Sequence, residues 1–212
     1  MDRMFKEWNV EKVKYLNDAQ LRAFFGVIEA VWPKTSIKKT LKIRDLLLFK
    51  MMYYFGLREG EAVRLMLTDL ISDKRQVFVR RLKRRGHEGR AYDIPEEIGR
   101  LLKRWMKERG TLPSACENPY LFLGQKAGDK HLAEDLIYGL FKKYASRVGL
   151  STYSPHCLRH SCAVQMARKG LSAFAIRDYL GHATVLSTQG YVELHGPERR
   201  ERDRVIAETL KL

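Results

Sequence analysis

Two imidazoles and a guanidinium stand together in His156-Cys157-Leu158-Arg159-His160. Positions 156, 159 and 160 are spaced i, i+3, i+4, so on a helix they share one face. Leu158, Cys162 and Met166, at i, i+4 and i+8, can face a core instead. Ser154-Pro155 just before them reads as an N-cap and first turn. A helix start offers free amide N–H groups and a positive dipole end, both favourable to phosphate. A zinc reading competes, because His156 and His160 have ligand spacing and Cys157 and Cys162 are close. The interior of that stretch is Leu158 and Arg159, without the Glu of a zinc protease helix, and an Arg between ligands repels a cation. No metal site is expected.

A second guanidinium lies in Gly56-Leu57-Arg58-Glu59-Gly60-Glu61. Glu61, three residues after Arg58, can orient it, and a planar guanidinium can hold two phosphate oxygens at once. Further on, Leu180-Gly181-His182 is followed nine residues later by Tyr191, within Thr188-Gln189-Gly190-Tyr191. Taken singly, each motif has an ordinary explanation: a surface ion pair, a capped helix, a structural His after a Gly stop, a core aromatic. Their combination gathers two arginines, three histidines and a phenol suited to phosphoryl transfer.

These residues need helices to hold them. Leu16-Asn17-Asp18 reads as the start of a helix to about Val31, ended by Trp32-Pro33. A strongly apolar helix is predicted over about Lys38 to Phe55, stopped by Gly56, and a short one over Glu59 to Met66. Gln76 to Lys83 reads as a strand, 84–89 as a turn and Arg90 to Ile94 as a return strand. Helices are predicted from Pro95 to Gly110, over Leu132 to Val148, from Ser154-Pro155 to Lys169 and from Ser172 to Gly181. Leu112 to Pro119 is expected to be a loop, with a brief extended piece at Tyr120 to Leu123. Tyr191 falls in or near a short helix. A last charged helix after Pro197 carries Val205, Ile206 and Leu210. The expected fold is mainly α (α+β): a compact helical domain over 16–212 with a small antiparallel β-hairpin or sheet, preceded by an arm or linker at 1–15.

Composition narrows the partner. The 212 residues are 45% hydrophobic, enough for a real core. Forty Lys and Arg against 25 Asp and Glu give a formal charge of +15, which implies a polyanion: DNA, RNA or an anionic membrane surface. Apolar runs are too short to span a bilayer, and Met1 to Val10 lack an apolar signal core. Three cysteines (Cys116, Cys157, Cys162) fit a reduced cytoplasm better than a disulfide framework.

The four motifs Gly-Leu-Arg-x-x-Glu (56–61), His-x-Leu-Arg-His (156–160), Leu-Gly-His (180–182) and the Tyr nine residues later occur in the order and at the approximate spacing of one family. In these residues the chain resembles the catalytic domain of the tyrosine recombinase (integrase) family, from about Leu16 to its end. Its short length resembles the fimbrial phase-switch recombinases in particular; a trimmed catalytic domain is the other expectation.

The resemblance implies a site-specific recombinase. Tyr191 is then the nucleophile, leaving a 3′-phosphotyrosine and a free 5′-hydroxyl. Arg58 and Arg159 bind the nonbridging oxygens of the scissile phosphate. His156 serves proton transfer and phosphate contact, and His182 bonds a phosphate oxygen. A hairpin Lys protonates the leaving oxygen: Lys83 matches, with Lys74 the alternative. Glu61 and His160 are supporting residues. Arg80, Arg81, Arg84, Arg85, Lys126, Lys142, Lys143 and Arg147 are candidate DNA-backbone contacts. The partner implied is a double-stranded DNA recombination site, bound by a homo-tetramer that can be a monomer when free. The phosphodiester energy is kept in the covalent link, so no cofactor is expected. A type IB topoisomerase-like relaxing enzyme and a catalytically inactive DNA-binding regulator are the competing readings.

Overall fold

The computed structural model describes residues 13–30, 35–82, 89–124, 130–182, 184–195 and 208–209. The chain forms α1 (Asp18–Ala30), α2 (Ser36–Tyr54), α3 (Glu59–Val63), β1 (Leu70–Ile71), β2 (Gln76–Arg80), β3 (Gly89–Asp93), α4 (Glu96–Arg109), α5 (Glu134–Ala145), α6 (His156–Arg168), α7 (Ala173–Leu180) and α8 (Leu186–His195). The expected mainly helical architecture with a small antiparallel sheet is what is observed. Among the described residues no helix is long and apolar enough to cross a membrane.

α1 starts with a reciprocal capping pair: Asn17 Oδ1 accepts from the Gln20 amide and Gln20 Oε1 from the Asn17 amide, both at 2.9 Å. α2 is the central rod. Residues 43–52 are all buried, because α1, α4 and α6 pack around it. Such all-round burial explains why its apolar residues run together rather than repeating on one stripe. Phe24, Phe49 and Phe141 meet at the heart of the core, with Phe24 and Phe141 centroids 4.8 Å apart. Each fully buried ring of this kind contributes about 1.5–3 kcal/mol relative to exposure. Trp105 of α4 is buried with its indole N–H donated to the Leu121 carbonyl at 2.9 Å, so its burial leaves no lost hydrogen bond.

The sheet has the order β1-β2-β3, antiparallel throughout, with Val77 opposite Tyr92 and Arg80 opposite Gly89. β1 was not anticipated from sequence: two residues are too few to show alternation. The strand expected to reach Lys83 stops at Arg80. Period-two alternation places Val77 and Val79 on the buried face, and the next inward position is Arg81.

A second, smaller core underlies the motifs at the C-terminal end: Cys162, Ala163, Val164 and Ala167 of α6, Ile176 and Leu180 of α7, and Tyr191 of α8. Val13 and Tyr15, within the expected arm, pack against it, and the Leu16 amide donates to Ser161 Oγ at 2.7 Å. Of the predicted C-terminal helix only Glu208 and Thr209 are described, both helical; Val205, Ile206 and Leu210 lie outside the described residues.

Candidate active site

The three arginine- and histidine-bearing motifs meet at two backbone turns. α2 ends at Phe55-Gly56, where Gly56 has φ +57°. A Cβ there would stand 2.2 Å from Leu180 Cδ2, so only glycine allows the turn to press against the end of α7. α7 ends in the same way at Gly181, also left-handed at φ +65°. Arg159, on the first turn of α6, clamps the two turns: its guanidinium donates to the Gly56 carbonyl and, at 2.8 Å, to the Leu180 carbonyl. It is 2% exposed.

Arg58 follows the first turn as the N-cap residue of α3. Glu61 holds it from both ends. Glu61 Oε1 accepts from the Arg58 guanidinium at 2.7 Å and Oε2 from the Arg58 amide at 3.0 Å. The same Oε2 accepts from Arg81 at 2.8 Å and lies 3.7 Å from Arg159. Three guanidiniums thus surround one carboxylate. Burial works to raise the Glu61 carboxyl, but Arg81, the Arg58 amide, Arg159 and Arg58 together hold it below the usual carboxylate range. Burial, then Arg58 and Arg81, pull Arg159 down to about 9, so it is still charged at neutral pH. The positive charge exceeds the negative here, which favours an anion in the cleft.

Arg81 requires a correction. It was read as a DNA-backbone contact, yet it is 2% exposed and spends its Nη donors internally, while Nε is buried without a hydrogen-bond partner. Besides Glu61 it donates to the Phe55 carbonyl at 3.0 Å, the Tyr179 carbonyl at 2.8 Å and the Tyr92 hydroxyl at 2.6 Å. It fastens the exit of β2 to both turns. The alternation Val77, Val79, Arg81 was the available signal that it points inward.

The helix-start expectation is corrected as well. Ser154 does not cap α6; Pro155 is the N-cap residue, in helical conformation and without a side-chain bond. The Cys157 and Leu158 amides donate to the Ser154 and Pro155 carbonyls, both at 3.0 Å, so these two are not free for phosphate.

His156 sits at the rim, its side chain 41% exposed, with Nδ1 3.9 Å from Glu59 Oε2. Its ring meets that of His160 edge to face at 4.6 Å. His182 follows Gly181, and its Nδ1 pairs with Thr188 Oγ1 of α8 at 2.9 Å. Burial, then Arg159, Arg58, His160 and Arg81, lower His182 to about 3, so the imidazole is neutral. Tyr191, on α8, is 1% exposed, and its hydroxyl is hydrogen-bonded with His160 Nδ1. Burial pushes its phenol above the usual range, while Arg159 opposes this.

The fold therefore brings Arg58, Glu61, His156, Arg159, His160, His182 and Tyr191 to one place. Lys83, Arg84, Arg85 and Lys126 lie outside the described residues. Arg80 leans on Asp69 at 2.5 Å and Lys142 donates to the Ser151 carbonyl at 2.5 Å, while Lys143 and Arg147 are exposed on and just after α5. Lys74 is exposed in the turn before β2. Among the described residues no group of three His, Cys, Asp or Glu side chains is placed to hold a metal ion.

Comparison with known proteins agrees with this arrangement. The tyrosine recombinase XerA of Pyrococcus furiosus is 30% identical over 161 residues, 76% of this chain and 54% of that protein. XerD of Brucella suis is 32% identical over 191 residues, 89% of this chain and 59% of that protein. In fold, the XerH site-specific recombinase bound to palindromic difH substrate, a post-cleavage complex, superposes with a TM-score of 0.73. That likeness covers 92% of this chain and 53% of that one, at 23% identity. The chain spans little more than half the length of these relatives. Residues 14–196 match the phage integrase family, and with the fold and the assembled motifs this places the chain in that family.

Proposed function

We propose that this chain cuts and rejoins duplex DNA at a specific site through a 3′-phosphotyrosyl link to Tyr191. The observation that carries the reading is the convergence of Arg58, Arg159 and His182 beside Tyr191, held by the turns at Gly56 and Gly181. Arg159 has five N–H donors and uses two of them on carbonyls, which leaves donors for a phosphate oxygen. Arg58 keeps one edge of its fork on Glu61 and can turn the other to the second nonbridging oxygen. By analogy with oxyanion donors, each contact stabilises the pentacoordinate transition state by about 3 kcal/mol. His182, neutral, donates from Nε2 when Nδ1 accepts from Thr188. His156 reaches the phosphate from the rim. Lys83 protonates the leaving 5′ oxygen. Because the phosphodiester energy stays in the tyrosyl link, the chemistry calls for neither a nucleotide nor a metal ion.

Residues 16–212 act as the catalytic unit in this reading. They work on duplex DNA in the cytoplasm as a homo-tetramer whose subunits can separate when free. Arg80, Lys142, Lys143 and Arg147, with Arg84, Arg85 and Lys126, track the DNA backbone.

The test begins with duplexes selected for binding from a random pool. Offered as nicked suicide substrates, they should trap a covalent protein–DNA adduct that Tyr191→Phe abolishes. An adduct that persists in Tyr191→Phe sinks the proposal. Relaxation of supercoiled plasmid without recombinant product would point to a topoisomerase instead.

A further inference from the structure

The nucleophile's hydroxyl faces a group that no phosphate contact employs. His160 Nδ1 is within hydrogen-bond distance of Tyr191 Oη, the two rings 6.0 Å apart and tilted by 43°. The contact lies in the seam where α6 packs on α8. The other two imidazoles of the described cleft turn their Nδ1 atoms to other groups. His182 Nδ1 is bonded to Thr188, His156 Nδ1 looks toward Glu59, and Arg159 is a cation with no lone pair to offer. A phenol cannot attack phosphorus efficiently while it keeps its proton, so that proton needs a destination.

We propose that His160 takes the phenolic proton of Tyr191 as Oη attacks phosphorus, and returns it when the strand is rejoined. The proposal rests on Tyr191 being the nucleophile. In the forward step the Oη–H bond breaks and the proton passes to the Nδ1 lone pair. The Oη–P bond forms, the P–O5′ bond breaks, and the leaving oxygen takes a proton from the acid on its own side. In the reverse step the 5′-hydroxyl returns its proton to the group that supplied it, the O5′–P bond forms, the Oη–P bond breaks, and Oη recovers its proton from His160. No oxidant, nucleotide or further reactant enters.

The surroundings suit this role. As acceptor at Nδ1, the neutral ring carries its proton on Nε2. Burial, then His156 and Arg159, lower the imidazole to about 3, with Glu59 opposing, so the lone pair stays available across physiological pH. So weak a base cannot ionise a buried phenol beforehand. Transfer has to accompany attack, when bond formation to phosphorus makes the phenol acidic and the phosphate's charge offsets His156 and Arg159. The groups facing His160 are His156 and Arg159 on its own helix, Glu59 from α3, His182 after α7 and Tyr191 from α8.

The deciding variant is His160→Asn, whose amide oxygen can take the place of Nδ1 as acceptor but cannot hold a proton. Single-turnover adduct formation is measured on the nicked suicide duplex and on the same duplex with sulfur at the bridging 5′ position, a leaving group that needs no acid. His160→Asn is expected to bind DNA normally and to form adduct on the order of 10²-fold more slowly. The defect persists on the sulfur-bridged duplex. Its rate climbs about tenfold per pH unit above neutrality as tyrosinate becomes limiting, whereas the unaltered protein is nearly flat. Unchanged adduct rates overturn the proposal, and so does rescue by sulfur, which would put His160 on the leaving-group side. If Asn unfolds the domain, His160→Gln is read by the same three measurements. No adduct from the unaltered protein would instead sink the reading of Tyr191 itself, and this inference with it.

Discussion

Arg81 Nη1 lies 2.8 Å from Glu61 Oε2, with neither side chain more than 3% exposed. The carboxylate that orients Arg58 is thereby also the anchor of the β2 exit, so the hairpin leading toward Lys83 is tied to the cleft. A buried ion pair of this kind adds little net stability over a packed apolar pair, but losing one partner strands the other charge. Glu61→Gln should therefore destabilise the protein by about 3–5 kcal/mol, measured as a lower urea midpoint. A loss below ~1 kcal/mol would show that water reaches the cluster and screens it.

Gly181 offers a test with an internal control. Gly149 and Gly181 both have positive φ, +72° and +65°. Around Gly149 a Cβ would meet nothing within 4 Å, whereas at Gly181 it would come 2.7 Å from Arg81 Cγ. Gly149→Ala should cost about 1 kcal/mol, the left-handed penalty alone. Gly181→Ala should cost more, roughly 2 kcal/mol or above, and slow adduct formation as well, because His182 follows directly. Equal losses in chemical denaturation would refute the close packing of Arg81 on this turn.

Acid should weaken the fold before any carboxylate titrates. His160 and His182 are both lowered to about 3, His160 first by burial and then by His156, His182 first by burial and then by Arg159. In the unfolded chain each would take a proton near 6.5. The unfolded state therefore binds more protons between about 6.5 and 3, and stability rises with pH across that window. It is fully present above about 6.5 and drains away below. The melting temperature should fall steadily from pH 7 to pH 5, and His182→Gln should flatten the slope. A melting temperature that stays level over that range would contradict the neutral, buried state of both rings.

Salt dependence should separate the surface cations from the buried one. DNA affinity is expected to fall with salt on a log–log plot, by about 0.9 in slope for each phosphate neutralised. Arg147→Gln and Lys143→Gln, at exposed positions, should each reduce that slope by roughly one at unchanged stability. Arg81→Gln should unfold more readily in urea and leave the slope of the protein that remains folded unaltered. The measurement is a fluorescence-anisotropy titration across salt concentrations. A one-unit slope change in folded Arg81→Gln would restore it to the DNA-facing set.

The sequence by itself determined the helices, the hairpin and the identity of the four motifs, because each rests on local chemistry. Glycine is needed where φ is positive, apolar periodicity marks a buried face, and the motifs are short and ordered. It also placed Arg58 beside Glu61, since three residues on a helix start bring them together. What it could not determine was which groups distant in the chain would touch. The pairing of His160 with Tyr191 spans 31 positions and depends on α6 packing against α8. Arg81 carries the same charge as its neighbours Arg80 and Lys83, and a positive charge in sequence reads as surface. Only the tertiary structure turned it inward, because burying it is affordable solely where Glu61, Tyr92 and the carbonyls of Phe55 and Tyr179 converge from separate elements to receive its protons.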